Sequence, residues 1–285
     1  MIQIGRKINL HFHSKHSDGA LTVTELLASL KKYGYCAGAL TDHDHLGGIA
    51  SGLLLAREIG IEFVPGIELS SQYGDFKEVH LLGYYLDYQN NLLRQKLEWF
   101  QESRKIRGKK ILDNINNELE GKGYQPVSYE EIASTVKGSF GRPHIAQRLL
   151  DLGYSKSMVE AFNSYLIPYN VPKAFFHPRE AIELIHQAKG LAVLAHPKYI
   201  TDNWPRLQEF IELLVSWGLD GLEAYYPEMT PDETSRCLGL AQKMGLLVTG
   251  GSDYHGPNFG HGCGPGGRKL YVPYQCLEEL KRAFF

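Results

Sequence analysis

Twelve histidines are spread over 285 residues, and their placement says more than their number. His11 and His13 stand two apart at the end of an apolar run. A strand would turn both to one face and send Leu10 and Phe12 to the other. Ser17-Asp18-Gly19 follows a few residues later. Thr41-Asp42-His43-Asp44 closes the second apolar run and Pro65-Gly66-Ile67-Glu68 the third. Val79-His80 opens the next, Ala195-His196-Pro197 closes a later one, and the last leads into Gly251-Ser252-Asp253-Tyr254-His255-Gly256. Neutral imidazoles and carboxylates are donors that suit zinc, manganese or iron. His11, His13, Asp18, His43, Glu68, His80, His196, Asp253 and His255 are thus nine candidate ligands. One ion needs fewer; two or three ions sharing a bridging carboxylate would use them all.

Each piece alone says little. A single His after a strand is usually a satisfied, partly buried residue, and Asp-Gly after a strand is usually a turn. Recurrence at the same end of successive strands is what points to a site. Packing gives no reason to crowd ionisable groups at one rim, where burying them unpaired costs several kcal/mol. No serine or cysteine nucleophile with a base partner stands out, and Ser252, among ligand-type neighbours, reads as structural. The chemistry that fits is hydrolysis by water activated on divalent ions, whose bound water has a pKa of about 7.

The elements that must position these groups read as βα units. Apolar runs at Ile8–Phe12, Ala37–Thr41, Phe63–Ile67, Val79–Tyr84, Leu191–Ala195, Leu219–Ala224 and Leu246–Thr249 alternate with helical patterns. A further strand-like piece, Lys269–Val272, precedes a C-terminal helix. Gly34, Gly60, Gly190, Gly218 and Gly245 stand just before strands, where helices end. Thr22/Glu25, Ser128/Glu131 and Ser157/Glu160 are possible capping boxes. From about Tyr88 to Lys189 the pattern is helical only, beginning with a long basic amphipathic stretch, Leu92–Leu119, that Gly121 and Gly123 end. The expected fold is α/β. Residues 1–87 and 190–285 would form a catalytic barrel with chemistry at the carboxyl rim of its strands, and residues 88–189 an all-helical insertion for substrate recognition.

Composition narrows the partners. A formal net charge of −2 offers no basic surplus to hold a nucleic-acid duplex, though a short anionic ligand needs only a local positive site. No signal peptide or membrane span is visible. Cys36, Cys237, Cys263 and Cys276 are widely spaced and read as reduced thiols of a cytoplasmic protein.

Taken in order, His-Phe-His, Ser-Asp-Gly, Thr-Asp-His-Asp, Pro-Gly-Ile-Glu, Ala-His-Pro and Gly-Ser-Asp-Tyr-His-Gly resemble the motifs of the PHP (polymerase and histidinol phosphatase) superfamily. The resemblance covers nearly the whole chain. Gly141-Arg142-Pro143-His144-Ile145-Ala146 and Val171-Pro172-Lys173 are similar to its TrpH/YciV-like branch, as is an aspartate at Asp18, where many relatives carry histidine. The resemblance implies a distorted (β/α)7 barrel holding three divalent ions (Mn, Fe or Zn). His11, His13, Glu68 and Asp253 would hold one ion. Glu68 would bridge to a second, held with His80 and His196. Asp18, His43 and His255 would hold the third. The catalytic hydroxide would bridge ions held through Glu68, Asp253 and His196.

With that resemblance, Arg142 becomes the candidate for substrate binding. It stands beside Pro143 at a helix start, where N–H groups and the dipole attract phosphate, and its guanidinium adds a bidentate fork. His144 and Lys173 would complete the anion pocket. The basic run Arg104–Lys110 reads as a solvated helix face. Glu223 is a possible support for a ligand. Tyr254 and Phe259 read as packing more readily than as base-stacking, Gly260–Gly267 as a loop, and His16, His45 and His261 carry no role. The expected activity is hydrolysis of phosphate monoesters of small nucleotides, with 3',5'-nucleoside bisphosphates first. Alternatives are 5'-to-3' exoribonuclease action on short oligoribonucleotides, histidinol-phosphate hydrolysis, and a metal-binding module that turns nothing over.

Overall fold

The computed structural model describes residues 6–136, 140–257 and 270–285. It divides into two compact units, Met1–Gln95 with Phe175–Phe285, and Lys96–Ala174. Phe259, His261, Cys263 and the glycine-rich loop lie outside the described residues.

The first unit begins with β1 (Lys7–Phe12), α1 (Val23–Lys32), β2 (Tyr35–Leu40), α2 (Ile49–Ile59), β3 (Glu62–Tyr73) and β4 (Phe76–Tyr84). Thr22 and Glu25 close a reciprocal capping box at α1, which satisfies two otherwise orphaned N–H groups. Gly60 ends α2 in the left-handed region at φ 68°, a conformation glycine adopts without Cβ strain. Helices α3 (Asn91–Gly121), α4 (Tyr129–Thr135), α5 (Arg142–Asp151) and α6 (Met158–Ala161) come next in the chain, followed by α7 (Pro178–Gln187), β5 (Leu191–Leu194), α8 (Trp204–Ser216), β6 (Gly221–Tyr225), α9 (Pro231–Met244), β7 (Leu247–Gly250) and α10 (Tyr274–Phe284).

The seven strands are hydrogen-bonded in the order β1-β2-β3-β4-β5-β6-β7. All neighbours are parallel except β4, which runs antiparallel to β3 and to β5. β3 and β4 are joined by a tight turn at Gly74, φ 57°, so the βα alternation expected from sequence breaks there. β3 also outruns the apolar segment Phe63–Ile67. Its first half pairs with β2 through Pro65, and its second half pairs with β4 through Tyr73. Glu68 therefore sits within a strand, not at its end. Beyond β7 the backbone returns to β1, with Asp253 N donating to His11 O at 2.8 Å and His13 N donating to Tyr254 O at 3.0 Å. Of the last strand expected from sequence, Lys269–Val272, Lys269 lies outside the described residues, and Leu270–Val272 is not a strand; Val272 instead packs into a core with Ile8, Leu10, Val64, Leu82, Val193 and Leu277.

The second unit has no strand among its described residues. It holds most of α3 (Asn91–Gly121), α4 (Tyr129–Thr135), α5 (Arg142–Asp151), α6 (Met158–Ala161) and a π-helical turn, Phe162–Leu166. Its own core gathers Ile111, Ile115, Leu119, Ile145, Leu149 and Leu166. Ser128 and Ser157 cap α4 and α6, but as half boxes: Glu160 accepts from Lys156 N rather than from its cap. Among the described residues no helix is long and apolar enough to cross a membrane.

Candidate metal centre

β1 delivers His11 and, one residue past its end, His13, with Leu10 and Phe12 buried in cores away from them. Both histidines are 0 % exposed. β3 delivers Glu68, also 0 % exposed, and β4 runs back past it carrying His80. His196 follows β5, and Asp253 and His255 follow β7. His43 follows β2, where it bridges to Glu68 in parallel register.

Glu68 is the hub. Its Oε1 lies 3.0 Å from His80 Nδ1 and 3.0 Å from His196 Nε2. Its Oε2 lies 3.3 Å from His11 Nε2, 3.1 Å from His13 Nε2 and 3.1 Å from His43 Nδ1. Asp253 Oδ1 lies 3.3 Å from His11 Nε2 and 3.0 Å from His13 Nε2. Asp18 is half-exposed and reaches His255 Nε2 at 3.3 Å and His43 Nε2 at 3.8 Å. All nine residues singled out from sequence are therefore brought together in the first unit. Ligand atoms of eight of them, all but His196, form three overlapping groups: His11, His13, Glu68 and Asp253; His43, Glu68 and His80; and His13, Asp18, His43 and His255.

The allotment differs in part from the expected one. The first group is the expected set. In the second His43 joins Glu68 and His80, while His196 also touches both, at 3.0 and 3.3 Å. In the third His13 joins, but its ring stacks on that of His255 at 4.1 Å and 16°. Lone pairs lie in the ring plane, so two stacked rings direct them along separate lines. His13 faces Asp18 Oδ1 through Nδ1 at 3.8 Å and turns Nε2 inward to Glu68 and Asp253.

The donors fit cations. His11 Nε2, His13 Nε2, His43 Nδ1, Glu68 Oε2 and Asp253 Oδ1 are buried without a hydrogen-bond partner, although they face one another. Two atoms each ~2.1 Å from a shared ion stand roughly 3.0–3.4 Å apart, the spacing seen here. Electrostatics agree. Burial works against the Glu68 carboxylate, but His43, His11 and His80 override it and hold it well below the usual carboxylate range. Burial also opposes charge on His13, yet the Asp253 and Glu68 carboxylates facing it push it up to about 10. Burial holds His43 well below the usual histidine range. Without ions, protons supply the missing positive charge; an ion binding here displaces them.

The surrounding residues show what sequence reading missed. Asp42 accepts from Ser14 N, Ser14 Oγ and Ser17 Oγ, each at 2.7 Å, and so fixes the turn before Asp18. Asn9 Oδ1 accepts from Ser252 N and its amide donates to Ser252 Oγ, which makes Ser252 a structural residue. Asn9 precedes His11 and His13 by the same step of two, a signal available in the sequence. Tyr226 donates to Asp253 Oδ2 at 3.0 Å. Tyr254 packs beside Phe12 and Val23. Asp44, His196 and Asp253 adopt positive φ, as do Tyr85 and Lys189, a region residues with a Cβ enter uncommonly.

A family model for the PHP domain matches residues 9–216. The chain belongs to the PHP domain family. A 5'-3' exoribonuclease of Haemophilus influenzae is 32% identical over 260 residues, 88% of this chain and 91% of that one. A 3',5'-nucleoside bisphosphate phosphatase of Chromobacterium violaceum is 31% identical over 275 residues, 92% of this chain and 90% of that one. A crystal structure from Bifidobacterium adolescentis, described as a metal-dependent phosphoesterase, superposes with a TM-score of 0.80 at 26% identity, covering 98% of this chain and 97% of that one. With its His/Asp/Glu cluster this PHP-domain chain is a metal-dependent phosphoesterase, a hydrolase of phosphoric ester bonds.

The residues expected to bind substrate lie in the second unit. Arg142 is the first residue of α5, with Pro143 second, and its guanidinium lies over the Phe162 ring at 5.8 Å. His144 Nδ1 accepts from Gly141 N at 3.1 Å, capping the helix, and burial lowers its pKa. Lys173 is half-buried. The run Arg104–Lys110 is not one solvated face. Lys105, Lys109 and Lys110 are exposed, but Arg104 and Arg107 are half-buried, and Arg107 donates to Val171 O and Asn170 Oδ1.

Proposed function

We propose that this chain removes phosphate from small phosphorylated nucleotides, with 3',5'-nucleoside bisphosphates as the leading substrates. The observation that carries the reading is Glu68, one fully buried carboxylate facing five imidazoles through its two oxygens. That arrangement suits ions sharing a bridge, and three divalent ions (Mn, Fe or Zn) match the mixed nitrogen and oxygen donors. Bound there, such ions supply water of pKa about 7 and offset charge on the phosphate. His11, His13 and Asp253 would hold the first ion with Glu68, His80 and His196 the second, and Asp18, His43 and His255 the outer one. Asp18, half-exposed, marks the open side of the cluster.

Arg142 is the proposed phosphate ligand, with His144 and Lys173 beside it in the role. Burial and the neighbouring guanidiniums of Arg142 and Arg104 lower the pKa of Arg107. Like charges gathered this way favour an anion among them. His144 is the weaker member, since its Nδ1 already serves the helix cap.

The likeness to an exoribonuclease keeps a second reading in view: 5'-to-3' trimming of short oligoribonucleotides at the same ions. Metal-replete protein is to be assayed with a 3',5'-bisphosphate and with a short 5'-phosphorylated RNA. Inorganic phosphate from the first supports phosphatase action; mononucleotides from the second support trimming. Arg142→Ala should raise KM about 10–100-fold with kcat little changed, the cost of losing a charged hydrogen bond. No product from either substrate would remove the nucleotide reading, and an unchanged KM would remove Arg142 from it.

A further inference from the structure

Glu223 lies in β6 at 0 % exposure, and none of the three donor groups includes it. Its Oε1 and Oε2 lie 3.1 and 3.3 Å from His11 Nδ1. Its Oε2 also accepts from the backbone N–H of His196 at 2.8 Å. We infer that Glu223 is a positioning residue that aims two ligands, one in β1 and one just beyond β5, at the inner ions. The inference rests on the metal reading above.

Two physical effects meet in this side chain. The first concerns which nitrogen of His11 is bare. A carboxylate against Nδ1 favours the proton there, because N–H can donate and a lone pair cannot. Nε2 is then left as a lone pair, and Nε2 is the atom standing 3.3 Å from both Glu68 Oε2 and Asp253 Oδ1. The second concerns backbone. His196 sits at φ 25°, ψ 61°, a conformation that a residue with a Cβ seldom adopts. The hydrogen bond from its N–H to a buried carboxylate helps hold it, and the imidazole follows the backbone to Glu68 and His80.

Glu223 itself is poorly placed to be a ligand. It addresses His11 through Nδ1, the nitrogen across the ring from the Glu68 and Asp253 carboxylates. Its oxygens are already engaged by His11 and by the His196 N–H. A buried carboxylate with this allotment is costly on its own. Cations bound beyond His11 offset that cost, and the carboxylate in turn raises the basicity of the ring that meets them.

The isosteric change Glu223→Gln tests this. An amide offers one acceptor oxygen, so it cannot serve His11 Nδ1–H and His196 N–H through separate oxygens. Its NH2, turned to His11, would favour the tautomer with the proton on Nε2. Zinc titration of metal-free protein, with metal content measured after dialysis, should show the inner ions bound about 10–100-fold more weakly. The ion held by Asp18, His43 and His255, which Glu223 does not touch, should keep its affinity. Nitrogen-15 histidine spectra of the zinc-loaded wild-type protein should show His11 carrying its proton on Nδ1, a reading that needs no variant to fold. Wild-type protein that binds zinc beside a Gln variant that binds it equally sinks this inference alone. So does a His11 proton on Nε2. Wild-type protein that takes up no divalent ion sinks the metal reading and this inference with it.

Discussion

In the helical unit, polar side chains meet ordinary partners. Asn116 bonds Val127 through both its amide oxygen and its amide nitrogen, Tyr169 donates to Glu118, and Arg148 pairs with Glu131. At the rim of the seven-stranded unit, His13 Nε2, Glu68 Oε2 and Asp253 Oδ1 are buried, close and unbonded. Both regions obey the rule that buried polar groups need partners. The helical unit meets most of this need from within, although Arg148 Nε is buried and unbonded there, whereas the rim gathers its unbonded atoms into one cluster that fits cations. Stability and function are therefore separable in the first region and joined in the second.

The sharpest way to break that contrast is Glu68→Gln. An amide cannot bridge ions as a carboxylate does, and its NH2 would face imidazole nitrogens. Phosphoester hydrolysis should fall by about 10²–10³, as when charge stabilisation of a transition state is removed, and metal content should drop with it. Hydrolysis within about tenfold of wild type would show that Glu68 is not the hub.

Removing the ions should come next. A ligand at 100 times its dissociation constant stabilises a fold by about 2.7 kcal/mol, or roughly 5–10 °C for a unit of this size. Chelation should lower the melting of the seven-stranded unit by that amount. Amide exchange around Ile111, Ile115 and Leu149 in the helical unit should stay as slow as before. Equal loosening of both units under chelator would erase the distinction drawn between them.

How much of this was legible in the sequence follows from the same physics. The nine donors could be picked out because strands put them at one rim and because no packing demand explains them there. Their sharing among ions was not legible, since it depends on which side chains face each other across strands: His43 reaches Glu68, and His13 stacks on His255. The hairpin between β3 and β4 was hidden because β3 continues beyond its apolar run as Leu69, Ser70 and Ser71, buried but partly polar. Lys269–Val272 looked like a strand from its apolar end alone, but Val272 is drawn into the core without a ladder. In the helical unit, Arg104 and Arg107 read as solvated because charge is hydrophilic on average. Arg107 instead donates to Val171 O and Asn170 Oδ1, partners that sequence spacing does not reveal.

The smallest test uses a histidine and a carboxylate in the first unit but away from the rim. His186 Nε2 bonds Asp220 Oδ2 at 2.8 Å, and that oxygen also accepts from Ala192 N at 2.7 Å. The Asp220 bond, against partial burial, raises the His186 pKa. A raised folded pKa means the charged pair contributes fully below the unfolded value of about 6.5 and loses its contribution as pH rises through the folded value. His186 is more than a third exposed, so solvent screening keeps the effect below about 1 kcal/mol. In metal-free protein, wild type should exceed His186→Gln in stability by more at pH 5.5 than at pH 8.5, as read by urea unfolding. At the rim the same residue types should answer to added zinc instead, because their donors outnumber the protons that could join them. A His186 pair whose contribution ignored pH but followed zinc would mean that the rim is not special, and that histidine–carboxylate contacts anywhere in this unit take up ions.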